Sequence, residues 1–234
     1  MQSLPPLQYF LDGQVLLFDK PYGISSFAVI KKVRYLTKIK KVGHAGTLDP
    51  LATGLLIVCT GKFTKRINEF MGMQKEYVGT ITIGSTTETY DLEREPENFL
   101  DTSHITEQTI HDATHQFTGN ILQMPPQHSA IKKDGKRLYE SARLGIEVKV
   151  DPRPVTIHEF TITKIEMPIV HFKVVCSTGT YIRSLANDFG AALGVGGYMS
   201  SLCRTKIGDF NVEDAYTFES FENYVHEIRK DIEV

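Results

Sequence analysis

No stretch of this chain approaches the roughly 18 consecutive apolar residues that a helix needs to cross a bilayer. The first ten residues lack a basic flank followed by an apolar core, so no signal peptide is expected. Cysteine is scarce. Cys59, Cys176 and Cys203 are odd in number and have no C-x-x-C spacing, so they read as reduced thiols of a cytosolic protein. There is no glycine-rich phosphate-binding motif and no His/Cys pair at metal-ligand spacing. His44, Asp49 and Cys59 have no H-x-x-x-H or C-x-x-C to support them as ligands. Repeats, linkers and low-complexity segments are missing too, which makes one α+β domain over residues 1–234 the simplest expectation. A hydrophobic content of 41% with 23% charged residues suits a globular protein with a sizeable core.

Excess charge is also lacking, since the net value is −2, which argues against a generic nucleic-acid binder. The distribution is more informative. Residues 1–75 carry a net +7, residues 76–130 a net −8, residues 131–210 a net +4 and residues 211–234 a net −5. Two basic segments can therefore offer a local face to a polyanion. Within the first, six of the eleven residues from 31 to 41 are basic.

That cluster runs directly into the most distinctive stretch of the chain, Gly43-His44-Ala45-Gly46-Thr47-Leu48-Asp49-Pro50-Leu51-Ala52-Thr53-Gly54. Three glycines within it allow tight turns and close backbone approach. Pro50 biases Asp49 toward an extended or turn conformation. The apolar run Leu55 to Cys59 that follows reads as a buried strand, so the loop presents a carboxylate at the edge of the core.

Elsewhere, Val15–Phe18 reads as a strand ending at the Lys20-Pro21-Tyr22-Gly23 turn. Ser25 or Ser26 can cap a helix in which Phe27, Ile30, Val33 and Leu36 recur at helical spacing. Residues 62–71 suggest a short helix, Tyr77–Ile83 a strand, Glu88–Asp101 an acidic loop, and Thr106 to about Phe117 a capped helix. A turn is expected at Lys133-Asp134-Gly135-Lys136 and a short helix over Leu138–Leu144. Val155–Ile165 is strand-like, with a change of apolar phase near Glu159 that suggests a bulge. Val170–Cys176 alternates as a half-buried strand, Thr180–Leu193 is helical, Tyr198–Phe210 is extended, and Thr217 can cap a final amphipathic helix.

The loop around Asp49 resembles the catalytic loop of the tRNA pseudouridine synthases that modify the uridine at position 55 in the T-loop. Other stretches are similar to that family in the same order: Lys20-Pro21-Tyr22-Gly23-Ile24-Ser25-Ser26, Lys75-Glu76-Tyr77, Gln123-Met124-Pro125-Pro126-Gln127-His128-Ser129-Ala130, Ser177 through Leu185, and Leu202-Cys203-Arg204-Thr205-Lys206-Ile207-Gly208. The similarity covers about residues 13–218. It implies an α+β fold with a large mixed, mostly antiparallel sheet flanked by helices, and a chain without the C-terminal RNA-binding module of many relatives. It departs at Asp91-Leu92-Glu93-Arg94-Glu95, where the family often has a glycine, and that loop reads as variable.

The resemblance implies that Asp49 is the catalytic group, with Arg183 and Tyr77 supporting it. Tyr77 would stack on an extruded base, Tyr181 and Leu202 would line the pocket, and His44 would stack where nucleotides are flipped out. Lys20, Lys65, Lys132 and Arg204 are candidate RNA-backbone contacts. Isomerising uridine breaks C1′–N1 and joins C1′ to C5 without oxidation, so no cofactor or metal is expected. Asp49 can act as nucleophile or remove the C2′ proton, and either role needs an ionised carboxylate with a cation nearby. The implied partner is the tRNA T-arm, in the cytoplasm, with no membrane and no protein partner required. Two competitors are a guide-RNA-dependent relative in a ribonucleoprotein and a tRNA-binding folding helper.

Overall fold

A computed structural model of the chain describes residues 7–129, 132–133, 136–138, 144 and 148–232. In order, the elements are α1 (Gln8–Asp12), β1 (Val15–Lys20), α2 (Ser26–Thr37), β2 (Val42–His44), β3 (Thr53–Thr60), α3 (Ile67–Gly72), β4 (Lys75–Ile83) and α4 (Glu107–Ala113). There follow β5 (Gly119–Gln123), β6 (Lys132–Lys133), β7 (Lys136–Arg137), β8 (Arg153–Glu166), β9 (Ile169–Cys176), α5 (Ile182–Ala192), β10 (Gly197–Ile207), β11 (Phe210–Asn211) and α6 (Phe218–Ile232). The expected turn at Asp134-Gly135 and the body of the expected helix from Leu138 to Leu144 lie outside the described residues. Pairing is mostly antiparallel, with β3 and β10 parallel, as a mixed α+β fold requires.

The chain divides into two compact units, residues 1–76 with 203–234, and residues 77–202. In the first, β3 lies between β1 and the C-terminal part of β10. Every residue of β3 from Gly54 to Thr60 is buried, because helices and loops cover both of its faces. Leu56 and Val58 pack on one side with Phe10, Phe18, Ile30, Val33 and Phe221. Leu55, Ile57 and Cys59 pack on the other with Ala45, Phe70 and Ile207. This explains why the strand reads as an unbroken apolar run rather than an alternation.

Helix α2 starts as expected, with the Ser25 hydroxyl accepting from the Ala28 N–H at 3.2 Å. Its buried stripe is Ser26, Val29, Ile30, Val33, Leu36 and Thr37. Phe27, placed on the apolar face by its spacing, is instead 52% exposed. The stripe already closes through Ser26, which leaves Phe27 a further 100° around the helix.

In the second unit the strand order is β10-β4-β9-β8-β5. The β8–β9 register shifts between Ile157 and Glu159 and again between Ile162 and Lys164, so the bulge read near Glu159 is present with a second one beyond it. Phe160, Phe172 and Phe189 are buried together, Phe160 and Phe189 with ring centroids 5.4 Å apart. Strand β5, which carries no clear alternation signal, was not anticipated and pairs with β8 from Gly119↔Ile157 to Gln123↔Arg153.

Parallel pairing of β3 with β10 depends on Gly54, which has φ 98° and would place a Cβ 2.4 Å from the Arg204 carbonyl oxygen. Neither the backbone angle nor the space admits a side chain. Gly54→Ala is therefore expected to cost about 3 kcal/mol or more in unfolding free energy, read by urea denaturation.

Candidate active site

In the first unit, the residues that hold the Asp49 loop come from four different segments. Strand β2 pairs with β3 from Val42↔Thr60 to His44↔Val58, and the Ala45 N–H extends that ladder to the Ile57 carbonyl at 2.9 Å. The Ser26 hydroxyl donates to the Leu48 carbonyl at 2.9 Å and accepts from the Leu48 N–H at 2.8 Å. Leu48 itself is buried. The Pro50 carbonyl accepts from the Gly23 N–H at 2.9 Å and from Lys20 Nζ at 3.2 Å. Asp49, half-buried, thus sits between two fixed peptide groups.

Lys20 corrects the sequence reading. It was expected to reach an RNA backbone, yet it is 0% exposed and its ammonium donates to the carbonyls of Pro21 (3.1 Å), Ile24 (2.8 Å) and Pro50 (3.2 Å). All three of its donors serve the protein. Arg204 is a second correction, being buried with Nε donating to the Leu55 carbonyl at 2.8 Å and Nη2 to the Gly46 carbonyl at 3.1 Å. Both cations tie the loop to its surroundings, because a buried charge is tolerated only where hydrogen bonds replace lost water. Lys65 is exposed on the 3₁₀ turn Gly61–Arg66, and the side chain of Lys132 lies outside the described residues.

Burial pushes the Lys20 ammonium down to about 8, opposed by the Asp49 carboxylate, while the Arg204 guanidinium adds to the depression. His44, half-buried in β2, is held below its usual range by burial and then by Arg204, so its ring is neutral at pH 7. Its Nδ1 is buried without a hydrogen-bond partner among the described residues.

In the second unit, two of the resembling stretches are laced together. The Tyr181 N–H donates to Gln123 Oε1 at 2.8 Å, and Gln123 Nε2 donates back to the Tyr181 carbonyl at 3.0 Å. The Ser184 hydroxyl donates to the Met124 carbonyl at 2.8 Å. Arg183, in the first turn of α5, is buried; Nη1 donates to the Thr89 carbonyl at 3.1 Å and Nη2 to the His128 carbonyl at 2.9 Å. Tyr77 is buried in β4, Leu202 is buried in β10, and Tyr181 is half-buried at the start of α5.

The sequence reading missed Asp91. It lay in a loop taken as variable, but its carboxylate is buried with Oδ2 3.6 Å from Arg183 Nε. Oδ1 accepts from the Thr89 hydroxyl at 2.7 Å and from the Glu93 N–H at 3.0 Å. Tyr90, immediately before it, adopts φ 64°, a left-handed conformation that costs a non-glycine residue on the order of 1–3 kcal/mol. The adjoining backbone is fixed by the Met199 N–H donating to the Tyr90 carbonyl at 3.0 Å. The only sequence signal was an acid that, with Glu88, is set among Thr87, Thr89 and Tyr90 in an otherwise charged loop.

Two expectations follow. Because Lys20 holds its proton less tightly folded (about 8) than unfolded (10.5), the unfolded chain binds more protons between those values. Stability of the native protein relative to Lys20→Met should therefore rise as pH goes from about 8 to about 10.5, measured by urea denaturation. Asp91→Asn removes a buried negative charge beside the Arg183 guanidinium and should lower unfolding free energy by about 3 kcal/mol.

Residues 34–182 match the model of the TruB family pseudouridylate synthase N-terminal domain, and residues 183–233 that of the tRNA pseudouridylate synthase B C-terminal domain. A tRNA pseudouridine synthase B from Flavobacterium johnsoniae is 55% identical over 220 residues, covering 91% of this chain and 96% of that protein. One of the same name from Phocaeicola vulgatus is 47% identical over 223 residues, covering 92% and 94%. Among solved structures, a Cbf5-Nop10-Gar1 complex matches with a TM-score of 0.76 at 29% identity. An H/ACA RNP bound to a substrate RNA containing 2′-deoxyuridine matches with a TM-score of 0.72 at 27% identity. Both cover 97% of this chain, which spans only 59% and 58% of the matched chains. With family models matched from residue 34 to 233 and relatives about half identical over most of their length, the chain belongs to the TruB family of pseudouridylate synthases.

Proposed function

We propose that this chain is a stand-alone enzyme that isomerises the uridine at position 55 in the T-loop of tRNA to pseudouridine, in the cytoplasm. The observation that carries the reading is the Asp49 loop, clamped at Leu48 and Pro50, in a chain 55% identical to a tRNA pseudouridine synthase B. The guide-dependent reading is not favoured, because identity falls to 27–29% against the ribonucleoprotein structures. The folding-helper reading gives no reason for so firm a clamp on one carboxylate.

In this reading the target base leaves its stack and exchanges it for protein surface from Tyr77, Tyr181 and Leu202, with neutral His44 filling vacated stacking space. Asp49 then acts on the nucleotide, either attacking an electrophilic carbon or removing the C2′ proton. The C1′–N1 bond breaks, the base turns, C1′ bonds to C5, the C5 hydrogen is lost and N1 gains one. No net oxidation occurs. Arg183 supplies a fixed positive charge to the reaction, and its own orientation is set by Asp91, Thr89 and His128. Lys65 and the exposed lysines near the loop meet phosphates.

The test is to incubate purified protein with an unmodified T-arm hairpin and map pseudouridine. Asp49→Asn should bind the hairpin with an unchanged Kd and lose turnover by at least about a thousandfold. Substantial turnover in that variant would remove Asp49 from the chemistry.

A further inference from the structure

The outward face of α2 is not accounted for by the fold. Phe27 is 52% and Tyr35 66% exposed, and both rings are accompanied by cations. Lys31 Nζ lies 5.3 Å from the Phe27 ring centroid, and Lys38 Nζ lies 4.2 Å from that of Tyr35. The other two basic side chains of the helix are engaged with the protein: Lys32 pairs with Glu222 at 2.6 Å, and Arg34 donates to the Val42 carbonyl at 3.0 Å while its guanidinium lies 5.9 Å from the Phe27 ring centroid. Residues 26–41 contain no Asp or Glu, so the face is cationic without internal compensation.

We infer that this face is an RNA-contact surface that stacks unpaired nucleotides of the substrate on Phe27 and Tyr35 while Lys31 and Lys38 hold the adjoining phosphates. The inference rests on the proposed RNA substrate and adds a second contact to it. Three observations support RNA as the occupant. A base stacked on either ring has its phosphate within reach of the ammonium already beside that ring, which is how single strands are held without sequence preference. The rings are eight positions apart, about 12 Å along a helix, roughly the rise of three to four stacked nucleotides. The helix also begins at the reacting loop, since Ser26 in its first turn carries both hydrogen bonds to Leu48, so an RNA strand engaged at Asp49 has this face as its neighbour. A second copy of the chain fits less well, because a two-fold contact would set Lys31 and Lys38 against their own counterparts.

The experiment uses the Asp49→Asn protein, expected to bind without turnover, and a fluorescently labelled unmodified tRNA transcript followed by anisotropy across a salt series. Phe27→Ala with Tyr35→Ala is expected to raise Kd about tenfold at fixed salt. Lys31→Gln with Lys38→Gln should reduce the slope of log Kd against log salt by about 1.4. On the Asp49 background the same pairs should raise KM and leave kcat at saturating tRNA unchanged. Phe27, Lys31 and Tyr35 are exposed on α2 and Lys38 is its half-buried C-terminal cap, so circular dichroism with thermal melting checks that each variant is folded. Changes in Kd below twofold with an unaltered salt slope would overturn the inference. So would a wild-type dimer in sedimentation velocity that dissociates in the aromatic variant. Pseudouridine mapped in the same transcript with wild-type protein tests the proposed function separately, because tight binding without product would sink that reading and leave the contact surface standing.

Discussion

A carboxylate can act on a nucleotide only if its own backbone stays in place, and around Asp49 regular secondary structure does not do that work. The loop is held by hydrogen bonds to its peptide groups: Ser26 on both sides of Leu48, Gly23 and Lys20 on Pro50, and Arg204 on Gly46. Three of the donors lie within residues 20–26 and the fourth, Arg204, lies far along the chain, so the loop is correct only when the surrounding unit is correct. Two of the donors are buried cations, and removing one would leave carbonyls without partners as well as a void. The charge on Lys20 and Arg204 is therefore used first for architecture. It also places positive potential around Asp49 without exposing those side chains to solvent.

Arg183 repeats this logic in the second unit. Its guanidinium is oriented by two backbone carbonyls and by the buried Asp91 carboxylate, which is itself oriented by Thr89 and the Glu93 N–H. A buried arginine paired and hydrogen-bonded in this way has few alternative rotamers, which is the condition for acting as a fixed electrostatic partner. The left-handed Tyr90 next to Asp91 is consistent with a segment whose geometry is set by its contacts rather than by local preference.

Much of this fold was legible because hydrophobic period and capping act locally. The Ser25 cap of α2, the unbroken apolar strand β3 and the bulge of β8 near Glu159 all leave marks within a few residues. What failed was long-range. Lys20 and Arg204 read as surface cations because lysine and arginine are so rarely buried, and nothing near them in sequence announces the carbonyls they serve. Asp91 was hidden by its acidic neighbours, since its partner Arg183 is far away along the chain. Phe27 was assigned to the wrong side because one apolar residue at the edge of a stripe satisfies the same spacing as one inside it. That misplacement is also informative, since a large ring kept in solvent costs hydrophobic free energy that core packing does not recover.

The division of the chain has a bearing on how the protein comes into being. Residues 77–202 form one continuous unit, whereas the other unit is assembled from the two ends of the chain. During synthesis the inserted unit can complete its contacts while its host is still missing strand β10's last residues, β11 and α6. Gly46 emerges early, and the arginine that ties it down follows 158 residues later. The loop that carries Asp49 therefore gains its Arg204 contact only after residues 77–202 have been made, and until then it is held by its nearer neighbours.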